Sequence, residues 1–553
     1  MKAKRRSSPQ TNNFLMQGSI LAVASIVSRV IGLVYRVPMQ RIIGDVGMDY
    51  YSSAYEVYSI LLIISSYSLP TAVSKLISAR FEKGQRKNAM RVLRGAFVFA
   101  LISGGAAGAL VWFFSDFITK ELLNTPLASF SLKVLAPCLL IAAVLGVIRG
   151  FFQGLGTMIP SAISQIVEQI VNAVVSVAAS FLLFGYGARI GRVLGDEEKI
   201  GSAYGAVGGT LGTVTGAAVG LLFIFLIFLL VRTGLRRHLR RDKTRLVEGT
   251  GAVAGILLLT IIPVLLSSTI YNISSFIDNG VFKAIALNQG FAASDISVWW
   301  GKYTGKYKLI INVPIAISSA LAASSVPALA ASFARQDQKR INTQIDSAIR
   351  FTMAIACPCT IGIGVLAKPI LTLLFNDPSD LAVNMLRFGC IAIVFYSLST
   401  LSNGILQGIN KLRLPVINAA IALVLHLGLL AILMLVFHMD IFAVIYANIF
   451  YAALMCVLNQ IGIAKAANYH MNIGNAFLKP IAASACMGVL VYGVYAGVSI
   501  VFHNAVSTVI AVLAGIFSYF ILLILFRGIT KEELLRFPGG KFFVKIGTLM
   551  RVY

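Results

Sequence analysis

Two arginines lie inside the first long apolar stretch of this sequence, in the segment SIVSRVIGLVYR. Arg29 and Arg36 are seven residues apart, so on a helix their directions differ by only about 20° and they share one face. Charge at membrane depth is costly and normally faces a cavity or a partner. Two guanidinium groups on one face suit a bidentate hold on a phosphate or pyrophosphate. The alternative is that they pair with Glu56 or Asp278 and only hold two parts of the protein together.

The same reasoning selects other polar side chains within apolar stretches. The predicted substrate-binding residues are Arg29, Arg36, Glu56, Lys75, Glu168, Asn272, Asp278 and Lys283. Glu56 lies among four tyrosines, and Lys75 follows a proline by just over one helical turn. Asp278 can balance an arginine, bind a coupling cation or titrate, and the sequence leaves these three roles open.

The sequence lacks the patterns that enzymes use. It contains no nucleophile–base pair with a recognisable spacing and no Walker motif. Its six cysteines are scattered without metal-ligand or disulfide spacing. We therefore expect no catalytic residues, no metal, no cofactor and no enzymatic activity. Energy would come from a gradient, the membrane potential, the substrate or a partner.

The elements that position these residues are predicted to be membrane-spanning helices. Hydrophobic residues make up 58% of the 553 residues and charged residues only 12%, about half the charged share of a typical soluble domain. Apolar stretches near 20 residues, the length that crosses a bilayer as a helix, recur along the chain. The fourteen predicted spans are 14–43, 50–78, 93–115, 132–154, 159–184, 203–231, 251–286, 304–332, 346–373, 382–407, 413–437, 441–464, 476–501 and 505–526. The fold class is therefore an all-α, multi-pass membrane protein.

The net charge of +26 is distributed unevenly between alternate loops. Basic residues concentrate at both termini and in the loops that follow even-numbered spans, such as RTGLRRHLRRDKTR, whereas the opposite loops are short or acidic, such as GDEEK. This positive-inside pattern predicts a membrane protein with both termini in the cytoplasm. The basic excess then indicates orientation and contact with anionic lipid, and not nucleic-acid binding.

The chain also contains an internal repeat. The segments GFFQGLGTMIP and GILQGINKLRLP both hold G-x-x-Q-G followed by a proline, and they lie roughly 250 residues apart. Six spans separate the two copies, so both enter the membrane in the same direction, as in transporters with parallel repeats around a central site. The predicted parts are an N-lobe at 1–231, a basic linker at 232–250, a C-lobe at 251–465, two extra helices at 475–527 and a basic tail at 528–553.

Several segments together resemble a known family. SRVIGLVYR…RIIG, GFFQGLGTMIPSAISQIVEQIVN, WGKYTGKYKLIINVPIAISSALAASSVPALAASFA and NGILQGINKLRLPVINA are similar to the polysaccharide biosynthesis family, in particular its stage V sporulation protein B and YtgP-like branch. That branch belongs to the superfamily of multidrug, oligosaccharidyl-lipid and polysaccharide exporters, which also contains the MurJ lipid II flippases. The resemblance implies two six-helix lobes around a central cavity that opens alternately to each side. It implies an undecaprenyl-pyrophosphate-linked substrate, with lipid II as the expected one.

The resemblance also bears on individual residues. Arg29 matches a cavity position, whereas the Arg-Asp pair of MurJ-type proteins falls at Tyr35 and Arg36, so the local charge is rearranged. The next acidic position falls near Asp49, displaced by one residue and expected at the outer rim. The two extra helices match those thought to cradle the lipid tail.

We therefore predict a flippase that works by alternating access, with membrane lipids and a lipid-linked anionic glycan as partners and a coupling cation as a further possibility. One alternative is a flippase for another lipid-linked polysaccharide. A second is a cation-coupled multidrug exporter, which would need an anionic cavity. A third, of another class, is a membrane scaffold for wall synthesis that does not transport. The sequence does not determine the oligomeric state.

Overall fold

The computed structural model of the protein describes residues 9–240, 242, 248–469, 471, 474–529, 531, 535 and 540–549. Over these residues the chain forms α-helices joined by short turns, with four short π-helical segments and no strand. It divides into two compact units, residues 1–301 and 302–553. The predicted lobe boundaries at 231 and 251 remain a prediction.

The described residues of the first unit form nine helices and most of a tenth. They are α1 (Pro9–Val34), α2 (Arg36–Leu62), α3 (Leu69–Glu82), α4 (Arg86–Phe117), α5 (Ala128–Gly154), α6 (Ile159–Leu194), α7 (Glu197–Arg240), α8 (Thr250–Asn272), α9 (Ser274–Asn288) and α10 (Ala293–Lys302). One of its cores lies where α3, α4, α5 and α8 meet, with Val73, Leu93, Phe151 and Leu257 at most 2% exposed. The beginning of α8 therefore packs as part of this unit.

The second unit holds the remaining helices. They are α11 (Lys308–Ala334), α12 (Gln338–Val365), α13 (Ala367–Phe375), α14 (Asp380–Gly389), α15 (Ala392–Gly408), α16 (Arg413–Leu435), α17 (Phe442–Ala467), α18 (Lys479–Val498), α19 (Asn504–Leu525) and α20 (Gly540–Leu549). The two extra helices predicted at 475–527 correspond to α18 and α19, which pack against each other and against α12.

Local sequence explains where these helices begin, end and break. Pro160 lies in the first turn of α6, where its missing N–H leaves no bond unmade. The same helix ends at Gly195, whose φ of 82° is the left-handed conformation that glycine adopts without strain. Within α2, Gly44 has φ 71° and ψ −176°, so the helix is interrupted there.

The backbones of α6 and α7 approach each other closely at the glycines of α7. A Cβ atom added at Gly216 would lie 2.6 Å from the Glu168 carbonyl oxygen, and one at Gly212 would lie 2.6 Å from the Ser176 nitrogen. Ser176 Oγ donates to the Gly209 carbonyl at 2.9 Å. Glycine is therefore required for this approach of two backbones.

Ten helical segments of the described residues are long and apolar enough to cross a membrane, or eleven if a bent pair, α14 and α15, counts as one span. The first, seventh and eighth predicted spans fall on α1, α8 and α11, whose side chains are described only in part. The described helices confirm an all-α, multi-pass membrane protein, and fourteen spans are consistent with them.

Candidate functional site

The break at Gly44 turns the chain into a hairpin that brings Arg36 against aromatic rings. Arg36 and Tyr55 are 19 residues apart, which is about 28 Å along a straight helix. The Arg36 guanidinium carbon nevertheless lies 5.6 Å from the centre of the Tyr55 ring, so the chain must reverse. Tyr51 stacks on Tyr55 with ring centres 5.8 Å apart, and Tyr58 lies 5.6 Å beyond Tyr55.

In this arrangement the Arg36 guanidinium group packs over the face of the Tyr55 ring. A guanidinium over a tyrosine ring gains about 0.5–2 kcal/mol, depending on how far it is desolvated. Arg36 forms no ion pair with any residue that the structure describes, and its buried Nε has no hydrogen-bond partner there. The side chain is partly buried. Its position is therefore fixed while its charge is not neutralised by a carboxylate.

A ladder of polar contacts joins the second limb of α2 to α9. Asp49, Ser53 and Glu56 recur at helical spacing on the part of α2 that follows Gly44. On α9, Asn279 and Lys283 lie four residues apart. Lys283 Nζ lies 2.6 Å from Asp49 Oδ1 and 3.2 Å from Ser53 Oγ. Asn279 Nδ2 donates to Ser53 Oγ at 3.0 Å and to Glu56 Oε2 at 2.8 Å.

The contact between Asp49 and Lys283, at one end of this ladder, is a buried ion pair. The side chains of Asp49 and Lys283 are 1% and 2% exposed. Thr125 Oγ1 lies 2.6 Å from Lys283 Nζ, and Ser297 Oγ donates to Asp49 Oδ2 at 2.7 Å. Each charge thus has hydrogen bonds besides its partner, as a buried pair needs for its desolvation to be offset. Removing one partner of such a pair typically costs about 3–5 kcal/mol.

The structure places the predicted site residues on several different helices. Asp278 is buried and faces Ser274 Oγ at 3.5 Å, whereas Asn272 and Lys75 are exposed on α8 and α3. The Arg29 side chain is exposed on α1.

Glu168, another predicted contact of the substrate, forms an ion pair with Arg149. Arg149 donates from a terminal guanidinium nitrogen to Glu168 Oε2 at 2.7 Å and from Nε to Ser164 Oγ at 2.9 Å. The Glu168 side chain is 23% exposed and the Arg149 side chain is 13% exposed. This pair joins the end of α5 to α6, so the Glu168 charge is balanced within the first unit.

Sequence reasoning missed two of these partners. The family resemblance predicts Asp49 only at the outer rim, and Arg149 is not among the predicted substrate-binding residues. The i, i+4, i+7 spacing of Asp49, Ser53 and Glu56 is the signal that could have identified the polar face of α2. Pairing that face with Asn279 and Lys283 required the fold.

No group of three or more His, Cys, Asp or Glu side chains that could hold a metal ion occurs in the part of the chain that the structure describes. A coupling cation therefore stays a prediction without an assigned site.

Comparisons with known proteins agree on a family and on a fold. Residues 14–333 match the family described as "Polysaccharide biosynthesis protein", and residues 308–432 match the MatE family. The chain is 25% identical to "Lipid II flippase MurJ" of Bacillus subtilis (strain 168), over 75% of this chain and 76% of that protein. It is 23% identical to "Stage V sporulation protein B" of the same organism, over 95% and 98% of the two chains.

Solved structures show the same fold at lower identity. A structure of lipid II flippase MurJ in an inward closed conformation aligns with a TM-score of 0.62 and 17% identity, over 93% of this chain and 99% of that one. An inward-facing multidrug resistance MATE transporter aligns with a TM-score of 0.64 and 15% identity, over 81% and 99%. The predicted all-α transporter fold is thereby confirmed.

Proposed function

Because the chain belongs to the polysaccharide biosynthesis protein family, we propose that it is a flippase for an undecaprenyl-pyrophosphate-linked cell-wall precursor. The proposed substrate is lipid II, carried from the inner to the outer leaflet of a bacterial cell membrane by alternating access. The relative named "Lipid II flippase MurJ", which matches over 75% of this chain, supports this class of substrate.

The observation that carries the proposal is the state of Arg36. The ring of Tyr55 holds its guanidinium group, and no carboxylate of the described residues neutralises it. A pyrophosphate that reaches this position gains charge-assisted hydrogen bonds without breaking an existing ion pair. Arg29, seven residues earlier on the same polypeptide, is exposed and is proposed to attract the anion first.

The buried pair of Asp49 and Lys283 has a different proposed role. It connects α2 to α9 and would have to open when these helices separate. Because its two charges are fully enclosed, separation requires either water or a substrate group to replace each partner. An anionic headgroup near Lys283 can provide that replacement, which would couple the arrival of the substrate to the opening of the ladder.

Direction of transport can follow from the membrane potential. An anionic headgroup that leaves a cytoplasm of negative potential moves downhill by about 2.3 kcal/mol per charge per 100 mV. This proposal needs no covalent chemistry and no coupling cation.

A cation-coupled exporter would need a carboxylate that is available to the cation. In the first unit, Asp49 pairs with Lys283 and Glu168 pairs with Arg149. These two pairs favour the anionic substrate over the cationic one.

The test is rescue of a bacterium depleted of its own lipid II flippase. We expect the wild-type chain to restore growth and Arg36→Ala to fail at equal membrane expression, with Arg36→Lys giving partial rescue because it keeps the charge but loses the planar group. Arg189→Ala, at an exposed arginine on α6, is the matched control and should rescue fully. If the wild-type chain is correctly inserted and still fails, lipid II is the wrong substrate and another polyprenyl-linked glycan takes its place.

A further inference from the structure

Three aromatic rings lie side by side at one end of the first unit, and we call them the aromatic row. Phe130 is near the start of α5, Tyr186 near the end of α6 and Tyr204 near the start of α7. The ring centre of Tyr204 lies 6.4 Å from that of Phe130 and 5.8 Å from that of Tyr186. Three different helices therefore bring their rings together at one level.

The two outer rings of the aromatic row are open to the surroundings. Phe130 is 47% exposed and Tyr186 is 55% exposed, whereas Tyr204 between them is partly buried. A Cβ atom added at Gly187 would lie 2.7 Å from Tyr204 Cβ, so the glycine is what lets Tyr204 pack closely against α6. The middle ring is held in place by this packing, and the outer rings remain accessible.

The aromatic row lies at the level where the membrane meets water. α6 has 36 residues and is about 54 Å long, whereas the hydrocarbon core of a bilayer is only about 30 Å thick. The connection of α6 to α7 carries Arg192, Glu197 and Lys199, all exposed, so this end of the helices extends beyond the lipid. Tyr186 and Tyr204 lie within two helical turns of these charges.

An exposed polar pair flanks one end of the aromatic row. Lys133 follows Phe130 by about one turn of α5, and its Nζ lies 2.7 Å from Asp116 Oδ2 on α4. The Lys133 side chain is 34% exposed and the Asp116 side chain is 67% exposed. An ammonium group has three donors and a carboxylate about four acceptor sites, so one ion pair leaves hydrogen-bonding capacity on both.

An apolar surface edged by hydrogen-bonding groups suits a sugar ring. The C–H groups of a pyranose with equatorial substituents form a face of partial positive charge, and the face of an aromatic ring is negative. The hydroxyl groups point outward from the pyranose edge, where Lys133, Asp116 and the two tyrosine hydroxyl groups can bond to them. The opposite charges of Lys133 and Asp116 balance, which favours a neutral ligand over an ion.

We propose that the aromatic row binds the pyranose rings of an oligosaccharide. The positive-inside pattern predicts that this end of α5, α6 and α7 faces the outer side. A glycan headgroup delivered to the outer leaflet would meet the row there, and this source of the glycan rests on the proposed function. Single aromatic residues anchor helices at membrane interfaces, but anchoring does not require rings from three helices to touch.

The experiment measures binding of chitotetraose, a β-linked oligomer of N-acetylglucosamine with equatorial substituents, to the purified full-length protein. Ligand-observed saturation-transfer NMR suits weak binding, and the detergent is lauryldimethylamine oxide because it carries no sugar. The comparison ligand is α-linked mannotetraose, in which an axial hydroxyl group interrupts one C–H face. We expect saturable binding of chitotetraose and about fivefold weaker binding of mannotetraose.

Variants test the location of the site. Tyr186→Ala should weaken chitotetraose binding about tenfold, and Tyr186→Phe, which keeps the ring, should retain most of it. Tyr492→Ala is the matched control, because this tyrosine on α18 is also exposed, at 64%, and lies outside the row. If Tyr186→Ala does not fold, Phe130→Ala removes the ring at the other end of the row and should have the same effect.

Two results would overturn the proposal. One is the absence of saturable chitotetraose binding to wild-type protein that unfolds normally, which would leave the three rings as interfacial anchors only. The other is unchanged binding in both Tyr186→Ala and Phe130→Ala. Rescue of a flippase-depleted strain is a separate measurement, so a failure of saccharide binding is distinguished from a failure of lipid II transport.

Discussion

Lys283 Nζ lies 2.6 Å from Asp49 Oδ1, although the two residues are separated by most of the first unit in sequence. Both side chains are enclosed, and the hydroxyl groups of Thr125 and Ser297 complete their hydrogen bonds. This pair and the rungs below it fix α9 against α2. Arg36 lies in the same helix α2, on the other side of the break at Gly44.

The first prediction concerns the buried pair itself. Lys283→Met leaves Asp49 as an unpaired buried charge and should lower the free energy of unfolding by about 3–5 kcal/mol. Asp49→Asn together with Lys283→Met removes both charges and should recover part of that loss. The measurement is thermal unfolding in detergent. Equal stability of the single and double variants would show that the pair is not enclosed.

A second prediction tests the glycine face of α7. A Cβ atom at Gly216 would lie 2.6 Å from the backbone of α6, so Gly216→Ala should separate α6 from α7 and destabilise the protein by about 1–3 kcal/mol. Gly105→Ala on α4 is the control, because nothing lies within 4 Å of its added Cβ. The readout is the fraction of protein that remains monodisperse after heating.

The third prediction concerns pH and the turn between α13 and α14. Although burial raises the pKa of Asp377, hydrogen bonds from Lys306, at 2.6 Å, and from Ser379 outweigh it and hold that pKa below its usual range. A depressed pKa stabilises the folded protein above the unfolded value, about 3.9, and this stabilisation is lost as the pH falls toward the folded value.

Asp377→Asn should therefore be less stable than the wild type at pH 7 and approach it as the pH falls below about 4. Unfolding curves at pH 7, 5 and 3 measure this difference. A gap between the two proteins that stays constant down to pH 3 would contradict the ion pairing of Asp377.

A fourth prediction addresses the end of the basic linker. Arg80 donates to the Glu248 carboxylate from Nε and from a terminal nitrogen at 2.7 Å, and Asn88 Oδ1 accepts from the Glu248 nitrogen at 3.0 Å. Glu248→Arg should lower the unfolding free energy by about 2 kcal/mol and make the linker more sensitive to protease. Adding Arg80→Glu should restore part of both properties. Failure of the double variant to recover either one would count against a direct pair.

The sequence by itself determined that this is an all-α, multi-pass membrane protein, because about 20 apolar residues are what a helix needs to cross a bilayer. Its internal repeat and family motifs also indicated a transporter. Helical spacing is also sufficient to identify the polar faces that carry Glu56 and Lys283, since that periodicity is a local property of the chain. The sequence could not show which helix face packs against which other helix.

Only the tertiary structure decided the pairing. The reversal at Gly44 placed Arg36 on Tyr55, and the docking of α9 on α2 paired Lys283 with Asp49. Arg149 on α5 likewise forms an ion pair with Glu168 on α6. A charge at membrane depth must find a partner or a cavity, but any of several helices can supply it. The packing of the whole unit selects one.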